Sequence, residues 1–265
     1  MMRKKFPVFV AAVMLACAIA GASSAAVYHP AVPVVTASSE FGTASWGLSP
    51  DGWTYKDIVI LGKVHKIWEY RTGSPIEFWS GYDTGGNPRL IGTLFQLVAT
   101  IDEDPMVGLV FMAGAGAADT VFSFSIDTPV PLASYEGYAS AQIGGTDFGL
   151  NGLSISGAYA GGATFQARYN TPAVVFAEEA GPVIAVPGGS GSNPAWGRYP
   201  AAGWAAIAAP VDKMGAEFNF TLSANDWATG SGVFEIRVVP EPGGAVAIVC
   251  GLVSMVGVVL RRRAS

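Results

Sequence analysis

Along the middle of the chain, apolar and polar residues alternate with a period of two. In "TVFSFSID", Phe122, Phe124 and Ile126 fall on one side and Ser123, Ser125 and Asp127 on the other. "ATFQARYN" sets Ala163, Phe165, Ala167 and Tyr169 against Thr164, Gln166, Arg168 and Asn170. "AEFNFTLS" sets Phe218, Phe220 and Leu222 against Glu217, Asn219 and Thr221; "VFEIRVV" sets Phe234, Ile236 and Val238 against Glu235 and Arg237. Such alternation predicts strands with one buried and one solvated face. Between them, "AGAGAAD", "GYASAQIGG", "AYAGGA" and "PGGSGSNP" have the composition of turns and loops. "ANDWATGSG" is expected to be the hairpin loop joining the last two strands. No stretch of the body carries a helical stripe. The pattern predicts an all-β fold, a single antiparallel β-sandwich-like domain spanning residues 27–238.

Both ends break this period with continuous apolar runs. At the start, Arg3, Lys4 and Lys5 precede an apolar run from Phe6 to Ala20 and the small residues "GASSAA". This order predicts a signal peptide over residues 1–26, cut by signal peptidase after Ala26 so that Val27 becomes the new N-terminus. Cys17 in "MLAC" is a poor lipobox, because Leu15 stands where a small residue is usual. At the other end, Gly243–Leu260 gives 18 residues without a charge. As a helix they would span about 27 Å, close to the thickness of a bilayer core. Arg261, Arg262 and Arg263 follow and, by the positive-inside rule, stay cytoplasmic, which places the body outside.

Pro240, Glu241 and Pro242, the apolar run and the arginine cluster, in that order at the chain end, resemble the PEP-CTERM sorting signal of bacterial exported proteins. The resemblance covers residues 239–265. It implies recognition by an exosortase, a membrane-embedded enzyme similar to cysteine transpeptidases, and removal of the helix that anchors the chain before processing. It also implies a Gram-negative envelope and a cell-surface or extracellular destination. Gly243 departs from the family's usual Ser or Ala after the motif, which leaves the processing point open; a permanent anchor is the alternative. The stretch Asp104–Val130 also resembles part of many PEP-CTERM ectodomains, which implies a β-rich exported domain and no particular activity.

Removing both ends changes the charge picture. The segment 27–238 keeps nine Lys and Arg against 19 Asp and Glu, a net charge of −10. That balance argues against nucleic acid and anionic lipid as partners, since both demand basic patches. Both cysteines, Cys17 and Cys250, lie in the terminal segments, so the body has no disulfide, thiol nucleophile or cysteine-based zinc site.

Candidate chemistry is sparse. His29 lies in the N-terminal arm, and His65 in "LGKVHKIWEY" is expected to be a solvated strand residue. HExxH, GxSxG and Walker A patterns are absent, and "GAGAAD" reads as a hairpin loop. Glu69 with Glu77, Asp102 to Asp104, and Glu178 and Glu179 are the carboxylates open to glycosidic chemistry, although the adjacent Glu178 and Glu179 would point to opposite faces of a strand and not pair with each other. "IDEDP" reads first as a solvated loop, with a calcium site at Asp102 and Asp104 as its alternative. No catalytic residue, cofactor or metal is assigned.

All seven tryptophans fall in the body. "NPAWGRYPAAGW" sets Trp196, Tyr199 and Trp204 in a Pro/Gly-rich stretch expected to be an irregular loop, where they are candidate contacts to a glycan, assisted by Arg198 or Asn193. Core plugs are the competing role. The leading expectation is a noncatalytic exported surface or matrix protein. A carbohydrate-binding module for exopolysaccharide stands second, and a secreted two-carboxylate glycosidase or lyase third.

Overall fold

The computed structural model describes residues 33–239 apart from 48, 50, 51, 61, 84, 172, 193–196 and 209. The expected signal peptide with Ala26, the expected sorting motif, His29, Asn193 and Trp196 lie outside the described residues. Among the described residues, no helix is long and apolar enough to cross a membrane.

The fold is all-β and antiparallel, built from two sheets. The larger runs in the order β14 (Ser190–Ser192), β9 (Tyr135–Thr146), β18 (Trp227–Val238), β7 (Met106–Ala115), β6 (Pro88–Asp102), β4 (Lys63–Arg71) and β3 (Trp53–Ile60). Two short strands, β15 (Gly197–Tyr199) and β16 (Ala205–Ala206), also pair with β9, and β5 (Ile76–Tyr82) pairs with β6. The smaller sheet runs β12 (Val174–Glu179), β11 (Phe165–Tyr169), β17 (Val211–Leu222), β8 (Thr120–Ala133), β1 (Val34–Ser39) and β2 (Gly42–Gly47). There, β10 (Leu153–Gly157) joins β17, and β13 (Val183–Ala185) joins β10.

One core lies between the sheets. Phe122, Phe124, Phe165, Phe218, Phe220, Ile126, Phe234 and Ile236 are all buried in it, as the alternation predicts. The phenylalanines pack ring on ring: Phe111 of the larger sheet lies 4.6 Å from Phe124, 4.9 Å from Phe218 and 5.3 Å from Phe220. The fully buried members of this core come from residues 35–236, so the body carries its own core for folding. Val238, the last residue of β18, breaks the pattern and is exposed.

Several glycine-rich stretches expected as turns are strands. "GYASAQIGG" lies within β9, and Ala113–Ala115 complete β7, leaving only residues 116–119 as the turn. "ANDWATGSG" is not a hairpin loop. The turn covers residues 223–226, and the chain crosses there from β17 in the smaller sheet to β18 in the larger. The reason is steric. A Cβ on Gly232 would stand 2.5 Å from Phe165 Cε2, and one on Gly137 would stand 2.7 Å from Phe176 Cζ. These glycines give space in the larger sheet for rings brought by the smaller one. "AYAGGA" does form a turn, with a short 3-10 segment at Ala160–Gly162.

Candidate functional site

The outer face of the larger sheet holds a shallow groove. Its floor is made of cross-strand rows. In one, Gln96, Met112, Thr229 and Gly144 lie side by side on β6, β7, β18 and β9. In the next, Val110, Ser231 and Gln142 do the same. These are the outward positions of strands whose alternate residues, such as Phe111 and Ile143, enter the core. Gly144 has no side chain, so the surface is hollow between Gln142 and Thr146. The groove has a volume of about 400 Å³. It continues into a second hollow of about 240 Å³ bounded by Thr146, Gly191 and Trp227.

Aromatic rings stand beyond both ends of this floor. At one, Trp227 is flanked by Phe95 at 4.8 Å and Phe148 at 4.1 Å, and Phe148 remains 55% exposed. Toward the other, Tyr138 follows Gln142 at a distance of four residues along β9, roughly 14 Å on the same face. Tyr138 lies 6.0 Å from Trp204; Arg198 sits over its ring, and Arg237 sits over the ring of Trp204. Arg237 is also bound to Glu136 by hydrogen bonds of 3.0 and 2.7 Å. The floor between the two ends presents amide, hydroxyl and thioether groups without a charge.

The predicted aromatic loop is rearranged. Gly197–Tyr199 and Ala205–Ala206 are strands on β9, not an irregular loop, because β9 is long enough to accept several short partners along one edge. Strand geometry then separates neighbours. Arg198 turns to the outer face beside Tyr138, whereas Tyr199 turns toward the smaller sheet and meets Phe176 edge-on at 5.2 Å. Trp204 lies with Tyr138 on the outer side. Tyr199 and Trp204 therefore do not share one platform.

The other titratable candidates serve the fold's own contacts. His65 is not solvated: its Nδ1 lies 2.9 Å from Asp102 Oδ2 and 3.6 Å from Asp104. Asp102 ends β6 and is buried, so "IDEDP" is only partly a solvated loop. Among the described residues, no group of three His, Cys, Asp or Glu side chains could hold a metal ion. Glu69 binds Lys56, and Glu77 accepts from the Trp79 indole. Glu178 accepts from Gln166 and from the Ala160 backbone.

One pair of carboxyl groups does meet, and neither member was singled out in the sequence. Asp147 and Asp226 are buried and hydrogen-bonded to each other. Burial, and then contact with Asp147, hold the Asp226 carboxyl above the usual range. Burial also opposes charge on Asp147. There the backbone N–H groups of Gly188, Gly152 and Asn151 and the bond to Asp226 win, and its carboxyl lies below the usual range. Two glycosidase carboxyls stand about 5 Å or more apart with a sugar between them. These two touch, under cover, and their oxygens are taken by backbone amides and the Ser223 hydroxyl.

Gln142 and Thr229 escaped the sequence reading because they lie in stretches whose glycines look like turns. The signal that could have found them is the alternation itself, carried through the glycines. No family model matches the chain, and no curated protein matches it.

Proposed function

We propose that this chain is a noncatalytic, exported cell-surface or matrix protein, delivered by its PEP-CTERM-like tail, whose β-sandwich body holds a polysaccharide strand across the outer face of the larger sheet. The observation that carries the reading is the groove floored by Gln96, Gln142, Thr229 and Ser231 and continued to the Trp227 cluster. A sugar ring has an apolar face and a rim of hydroxyls. Aromatic rings match the first, and side-chain amides and hydroxyls match the second. An uncharged floor suits a neutral chain, since a charged sugar would give up hydration there without a countercharge. Signal peptidase and exosortase are its processing enzymes in this reading, and exopolysaccharide is its ligand class.

Affinity electrophoresis of residues 27–239 in gels containing hydroxyethyl cellulose tests the reading. The protein should be retarded. Gln142→Ala should weaken retention by about 3- to 10-fold, the worth of one or two hydrogen bonds. The melting temperature should stay unchanged, because Gln142 faces outward. Unretarded wild-type protein, here and in gels of other neutral polysaccharides, overturns the reading.

A further inference from the structure

Asp147 and Asp226 stand immediately before Phe148 and Trp227, the two rings that meet at a tilt at the end of the groove. β9 and β18 pair Thr146 with Trp227, and the same register continued by one residue sets Asp147 opposite Asp226. Both carboxyls turn inward at the mouth of the sandwich, while Trp227 turns outward.

Each carboxyl holds a loop. Asp226 Oδ1 accepts the Phe148 N–H at 3.1 Å and the Gly149 N–H at 3.4 Å, and its other oxygen binds the Ser223 hydroxyl. Asp147 accepts the N–H groups of Asn151 at 3.3 Å, Gly152 at 2.8 Å and Gly188 at 2.7 Å. The backbone of Phe148 is thus tied to the residue that precedes Trp227. The carboxyl-to-carboxyl bond requires one proton between them. Without it, two anions would face each other in a buried site, where their repulsion is only weakly screened. Among the described residues, no hydrogen bond joins either carboxyl to a cation. The 186–189 turn and residues 151–153 bring no ionisable side chain, and the 116–119 turn brings a further acid, Asp119, which accepts the Ala224 N–H.

We propose that Asp147 and Asp226 act as a proton-dependent latch that positions the Phe148–Trp227 end of the groove, so that this end is complete only while the pair holds its shared proton. Above the pair's upper titration the carboxyls part, the 147–149 segment draws away from the turn before β18, and the Phe148 ring leaves Trp227. The consequence for ligand binding rests on the polysaccharide reading; the latch itself does not.

The test uses residues 27–239 labelled with 5-fluorotryptophan. The ¹⁹F resonance of Trp227 is assigned by its loss in Trp227→Phe and followed from pH 4 to 9. It should titrate with a midpoint above the ordinary aspartate value of about 3.9. The transition should vanish in Asp226→Asn, which keeps a donor toward Asp147 and cannot ionise. In Asp147→Asn, which removes the neighbouring charge, the midpoint should fall. Retention on hydroxyethyl cellulose should decline across the same range in the wild type. A Trp227 signal indifferent to pH, or an unchanged midpoint in both variants, overturns the latch. A titrating signal with no polysaccharide retained at any pH supports the latch and sinks the groove reading.

Discussion

Gly232 offers a direct test of how the two sheets meet. It sits mid-strand in β18, on the face turned toward the smaller sheet. A Cβ there would lie 2.5 Å from Phe165 Cε2, 2.7 Å from Phe165 Cδ2 and 3.0 Å from Phe218 Cε2. Carbon atoms settle at about 3.5–4.0 Å, so Gly232→Ala demands a retreat of roughly 1 Å. Neither ring has room to give way: both are fully buried, with their centroids 5.0 Å apart. Overpacking of this kind costs about 1–3 kcal/mol. At about 2–4 °C per kcal/mol for a body of this size, the melting temperature should fall by roughly 2–12 °C. Gly108 in β7 is the control. A Cβ there meets nothing closer than 3.8 Å, because it faces outward. Gly108→Ala should stay within about 0.5 kcal/mol of wild type or gain slightly, since alanine restricts the unfolded chain. Urea and thermal unfolding followed by circular dichroism read both. Adding Phe165→Leu to Gly232→Ala should restore part of the loss, with a coupling of about 0.5–3 kcal/mol. Equal effects of the two alanines, or a Gly232→Ala change under about 0.5 kcal/mol, would mean that Phe165 and Phe218 do not rest on that glycine and the packing argument is wrong.

Phe220→Ala empties a fully buried site ringed by Phe111, Phe122 and Phe124, and should cost about 3–5 kcal/mol in urea unfolding; a loss below about 1 kcal/mol would remove this ring from the core. Glu235 is held above the ordinary glutamate range by burial first and then by the charges of Asp102 and Asp104. A carboxyl raised in the folded state contributes stability that is present at low pH and lost as pH climbs from about 4.3 through the raised value. Glu235→Gln should therefore gain on the wild type between pH 4 and pH 7.5, and a difference constant with pH refutes this origin. Intact-mass spectrometry of the surface fraction should find a protein that starts near Val27 and lacks Gly243–Leu260 in a host with a matching exosortase; a mass that includes Arg263 would leave a plain anchor.

The strands built on large alternating residues were legible in the sequence. Phe122, Phe124 and Ile126, or Phe218 and Phe220, mark a buried face by themselves, because burying a large apolar side chain is the dominant gain in folding and a strand repeats every two residues. The all-β class followed from them. The other half of the interface was not legible. Gly137 and Gly232 are small because rings of the opposite sheet occupy their space, and that cause lies far away along the chain. Read locally, such residues look like turns. Tertiary packing made them strands, carried the chain from one sheet to the other at residues 223–226, and brought Asp147 against Asp226 from 79 positions away. It also laid Gln96, Gln142 and Thr229 in adjoining rows. A groove is a property of neighbouring strands, and strand order is decided by which faces fit together rather than by the period of any one of them.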